Sequence, residues 1–111
     1  VDLFEVFHSD AVRRFQNRTM DGKELLAFEL FFTRLRREPG GEGRKEFSHH
    51  GPHRILHFSY YVSTKLRTLF VLMAYQERRG EPRSDDLKAE QELMTVILQQ
   101  ESDHEDVAEE P

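Results

Sequence analysis

Apolar and polar residues alternate from His53 to Val62. Leu56, Phe58, Tyr60 and Val62 point one way, His57 and Ser59 the other, and this is the pattern of a half-buried strand. After the polar connector Ser63-Thr64-Lys65, the run Thr68 to Tyr75 is nearly all apolar. That predicts a central strand covered by helices on one face and hemmed by side chains on the other. The hairpin sets the core, and its second strand breaks into Gln76-Glu77-Arg78-Arg79-Gly80. A basic pair at the end of a buried strand is a place to look for function, because rigid elements position polar groups well at their ends.

Around the hairpin the pattern changes period. Val1 to His8 reads as a first strand, and Ser9 or Asp10 can cap a short helix over DAVRRFQNR, with Ala11, Val12 and Phe15 on one face. From Lys23 to Arg37, Leu25, Phe28, Phe32 and Leu35 recur at three- and four-residue spacing, with Leu26, Leu30 and Phe31 widening the stripe. Pro39-Gly40 ends this helix, and Arg34, Arg36 and Arg37 suit its solvated C-terminal turn. Arg44 to His50 forms a short strand, and Gly51-Pro52 turns the chain into the hairpin. A last helix starts near Ser84, with Asp85 and Asp86 at its N-terminus and Leu87, Met94, Ile97 and Leu98 as its apolar stripe. The predicted class is α+β, in the order β-α-α-β-β-β-α: a small, mainly antiparallel sheet packed on a helical hairpin, with a C-terminal helix.

A chain of 111 residues suits one domain. The net charge of −5 is uneven: six of the 21 acidic residues fall within 101–111, and the rest nearly balance the 16 basic ones. Residues 1–100 are therefore read as the folded domain and 101–111 as a solvated, disordered acidic tail. With no cysteine there are no disulfides or thiolate metal sites, and no apolar run reaches the roughly 18 residues that span a bilayer. A soluble protein of the reducing cytoplasm is expected.

Two constellations bear chemistry. His49, His50, His53 and His57 cluster around Gly51-Pro52, but zinc needs three or four converging ligands and no Asp or Glu lies inside the cluster. Structural, acid/base and phosphate-contact roles remain open for these histidines, and neither metal nor cofactor is assigned. The second is basic: Arg44 and Lys45 open one strand, Arg54 the next, Lys65 and Arg67 flank the turn, and Arg78 and Arg79 close the last. In an antiparallel sheet, Arg54, Arg78 and Arg79 fall at the same edge. They form either a phosphate site or scattered surface charge. No phosphate-binding glycine loop or serine-nucleophile motif is present.

The segments HGPHRILHFSYY and TLFVLMAYQERRGEP, with FEVFHSDAVRRF before them, resemble the RelE/ParE superfamily of bacterial toxins over residues 1–100. The resemblance implies a toxin of a toxin–antitoxin pair, partnered by a cognate antitoxin protein. It also implies a metal-independent endoribonuclease cutting mRNA on the ribosome, or, in the ParE-like branch, an inhibitor of DNA gyrase. A protein-interaction domain that keeps only the fold is a third reading. By position, Arg54 matches the arginine that contacts the scissile phosphate, Arg44 and Lys45 lie near the family's basic residues, and His57 falls where the family often has Tyr. Arg78 and Arg79 join Arg54 as candidate phosphate donors, with His57 or His50 as acid/base and Arg44, Lys45, His50, Lys65 and Arg67 as RNA contacts. The chain departs from the family at Glu77, which an ungapped match puts on a usually basic position, and no tyrosine follows Tyr75.

Overall fold

A computed structural model describes residues 3–77 and 84–109, the last five of these as backbone only. Its order is β1 (Glu5–His8), α1 (Asp10–Arg18), α2 (Gly22–Arg37), β2 (Gly43–His50), β3 (Ile55–Ser63), β4 (Thr68–Gln76) and α3 (Ser84–Glu109). The four strands form one sheet ordered β1-β4-β3-β2, with β1 parallel to β4 and the other pairs antiparallel. The α+β reading and its element order hold.

Local signals explain the helix starts. Ser9 accepts from the Val12 amide at 3.2 Å, and Asp21 and Glu24 close a reciprocal capping box on α2 at 2.8 and 2.9 Å. At the other end of α2, Arg36 is not simply solvated: its Nε donates to the Phe4 carbonyl at 2.8 Å and ties the helix to the chain entering β1. The turn between β3 and β4 runs over Thr64–Arg67, starting one residue later than the expected Ser63-Thr64-Lys65 connector and one residue longer. It closes with Arg67 in the left-handed region at φ 50°.

The two faces of the hairpin are both covered. Leu56, Phe58, Tyr60 and Val62 pack with Phe28 and Phe32 of α2 and Val12 of α1, whereas Tyr61, Phe70 and Leu72 pack with Ile97 of α3. β4 is therefore sandwiched between helices, rather than covered on one face only. Alternate residues of the apolar run serve the two faces, and a bulge then changes the parity: Ser59 pairs with Met73 but Tyr60 with Val71, leaving Leu72 as the extra residue, so that Ala74 joins Leu69 and Val71 on the side of α1 and α2. Ser9 binds the bulged segment, donating from its amide to the Val71 carbonyl at 3.0 Å and from Oγ to the Leu72 carbonyl at 2.8 Å.

Helix α3 corrects two expectations. Leu87 and Leu98, assigned to its apolar stripe, are exposed, and so are Leu26 and Leu30 on α2. The inward positions of α3 include two buried glutamates. Glu90 accepts from Arg44 Nε at 2.6 Å and Ser59 Oγ at 3.0 Å, and Glu101 accepts from Tyr61 Oη at 2.9 Å and Ser63 Oγ at 2.6 Å. The outward row of β3 offers hydroxyl donors, so a helix covering it does best with acceptors. The boundary drawn at residue 101 thus falls inside α3, which continues to Glu109, and the first residue of the expected tail is part of the core. Burial, reinforced by the Glu101 carboxylate, pushes the Tyr61 phenol up to about 12. Glu101→Ala leaves two buried hydroxyls without their acceptor. It is expected to cost about 1–3 kcal/mol in urea unfolding and to lower the alkaline endpoint of tyrosinate absorbance. An unchanged endpoint would mean that α3 does not seal this face.

Candidate functional site

The sheet end where β3 begins and β4 finishes carries two polar clusters, one on each side. On the side of α1 and α2, Arg54 sits just before β3 with the parity of Leu56. That parity aims it at the helices, and no outward turn intervenes. Its Nε donates to Glu24 Oε2 at 2.7 Å, Nη2 donates to Glu24 Oε1 and to the Thr19 carbonyl, and Nη1 reaches Gln76 Oε1 at 3.4 Å. The hydrogen bonds from Arg54 hold the Glu24 carboxyl below its usual range, and the same contact raises the arginine. Beside this pair opens a cleft of about 640 Å³ that His49, Gly51, His53 and Lys23 also line.

On the α3 side, His57 is held across three strands. Ser48, its register partner on β2, has Oγ 2.7 Å from Nδ1, and Glu77 Oε1 lies 3.3 Å from Nε2. Tyr75, opposite on β4, places its ring 5.0 Å away at 33°. The imidazole keeps 24% of its side-chain surface open.

The expected site residues do not all converge. Arg54 and His57 share the sheet end but face opposite sides. Arg44 is far along β2, where its bond to Glu90 raises it further, and Lys45 points to the α2 side. His50 is exposed at the tip of β2, paired in register with Ile55. Lys65 and Arg67 lie in the turn at the other end of the sheet, with Arg67 4.9 Å above the Phe4 ring. Arg78 and Arg79, with the break at Gly80 to Pro82, fall outside the described residues. Glu24, His49 and His53 around Arg54, and Ser48 and Glu77 around His57, were not assigned from sequence. The parity of β2, which sets His49 beside Phe47 and Ser48 beside His57, was the available signal for two of them.

Among the described residues, no group of three or more His, Asp and Glu could hold a metal ion, and no helix is long and apolar enough to cross a membrane. No family model and no curated protein matches the chain in sequence. A solved structure does match in fold: E. coli toxin RelE, an arginine-to-alanine double mutant in the free state, is 8% identical. The match has a TM-score of 0.59 and covers 81% of this chain and 96% of that one. At that identity the likeness is one of architecture, and what it establishes is that this chain has a RelE-like fold.

Proposed function

We propose that the chain is the toxin of a type II toxin–antitoxin pair. In this reading it is a metal-independent endoribonuclease that cuts mRNA on translating ribosomes in the cytoplasm and is neutralised by a cognate antitoxin protein. The observation that carries this is the fold it shares with toxin RelE over nearly the whole of that chain. Support comes from the sheet end, where a partly open imidazole stands next to the strand end that runs into Arg78 and Arg79.

Cleavage by the ribose 2′-hydroxyl needs a base for that hydroxyl, cations for the charge that develops on phosphate, and a proton for the leaving oxygen. His57 is assigned the proton transfer and Arg78 and Arg79 the phosphate. Arg54 can join them only by giving up bonds to Glu24, Thr19 or Gln76. That engagement favours a second reading, a non-catalytic binder that occupies a protein target, as a gyrase inhibitor does.

Induced expression, followed by mapping of mRNA 5′ ends with and without translation, separates the two. The nuclease reading expects growth arrest with new 5′ ends that depend on translation, and a loss of about a hundredfold or more in cleavage when Arg78 and Arg79 become Ala. Growth arrest with intact mRNA would sink it and leave the binder.

A further inference from the structure

We infer that Ser48 is the group that meets the RNA 2′-hydroxyl, with His57 as the base behind it and Glu77 as the residue that positions the ring. The inference rests on the nuclease reading above. A carboxylate only accepts hydrogen bonds, so in the neutral ring the Nε2 that faces Glu77 Oε1 at 3.3 Å carries the hydrogen. That leaves Nδ1 with the lone pair. Ser48 Oγ lies 2.7 Å from it, and its hydroxyl therefore donates to Nδ1.

Three adjacent strands hold this chain of groups. Ser48 and His57 are register partners, and the Glu77 amide donates to the Ile55 carbonyl at 2.9 Å, extending the ladder by one rung beyond β4. The Tyr75 ring lies against the imidazole and restricts its plane. Both ring nitrogens are thus engaged, and a substrate proton reaches Nδ1 through the serine hydroxyl. In the step, the 2′-hydroxyl passes its proton to Ser48 Oγ as Ser48 passes its own to Nδ1. The 2′ oxygen bonds to phosphorus and the bond from phosphorus to the 5′ oxygen breaks. The leaving oxygen takes a proton from water, and the imidazolium, next to the Glu77 carboxylate, later returns one to solvent. A hydroxyl, an imidazole and a carboxylate in series follow the logic of activated nucleophiles, here with the serine as a relay.

The test uses the full chain. Cleavage of mRNA on translating ribosomes is compared for wild type, Ser48→Ala and Ser48→Thr, and the His57 tautomer is read from its imidazole nitrogen shifts by NMR. The relay expects a fall of about a hundredfold or more in Ser48→Ala, retention of most activity in Ser48→Thr, which keeps the hydroxyl, and an Nε2–H tautomer that Glu77→Ala disturbs. Wild-type cleavage by a folded Ser48→Ala, or an Nδ1–H tautomer in the wild type, overturns the relay and leaves the nuclease reading standing. If Ser48→Ala does not fold, the threonine variant and the wild-type tautomer decide. A wild-type chain that leaves mRNA whole removes both.

Discussion

Glu24→Ala is expected to destabilise the protein by about 3 kcal/mol, the low end for breaking a buried ion pair because the arginine is partly open. Side-chain exposure is 7% for Glu24 and 25% for Arg54, so the loss strands a mostly buried guanidinium. The same carboxylate also accepts from the Asp21 amide, so the N-terminus of α2 loses its capping box at once. The pH dependence follows from the depressed folded pKa of Glu24, caused first by its hydrogen bonds from Arg54. A depressed carboxyl contributes stability that is present above the unfolded value of 4.5 and is lost as pH falls through the lower folded value. Urea unfolding at pH 7 and at acid pH checks this: the gap between wild type and Glu24→Ala should be full at pH 7 and narrow on acidification below about 4.5. Equal midpoints at pH 7 would mean that Arg54 is not anchored by Glu24, and would return it to the list of phosphate contacts.

That pair also marks the limit of what the sequence made legible. The hairpin and α2 could be read because their periods of two and of three to four residues run uninterrupted through Leu56 to Val62 and Leu25 to Leu35. The parity of Arg54 with Leu56 pointed to the helix side as well, but its partner lies 30 residues away at a capping position, where a glutamate already has a local purpose. A single sequence does not distinguish a carboxylate that caps from one that caps and pairs. Helix α3 resists reading from sequence for a related reason. Its register follows Glu90, Ile97 and Glu101 because β3 presents Ser59, Tyr61 and Ser63 to it, and a hydrophobic stripe drawn without the facing strand placed Leu87 and Leu98 inside. His57 stands out in the sequence through the histidine cluster around Gly51-Pro52 and through the family resemblance. Its neighbours Ser48 and Glu77 come from two other chain segments, and only the strand register joins them.

Phe58→Ala is expected to cost about 3–5 kcal/mol, the range for truncating a buried aromatic. Phe58 is 1% exposed at the centre of β3, where aromatic rings from α1, α2 and β2 meet. Its ring lies 5.1 Å from Phe28 of α2, 6.3 Å from Phe15 of α1 and 5.7 Å from Phe47 of β2. On its β4 side the register partner is Ala74, too small to close the void. A domain of this size has a total stability of about 5–15 kcal/mol, and each kcal/mol moves the midpoint by roughly 4–8 °C. The thermal transition should therefore fall by on the order of 12 °C or more, and a weak wild type would not fold at all. Leu30→Ala is the control, since Leu30 is 62% exposed on the outer face of α2 and its loss should stay within about 0.5 kcal/mol. If both variants melt alike, the sheet does not pack on the helical hairpin through Phe58, and the register that brings Ser48 to His57 loses its anchor one residue away.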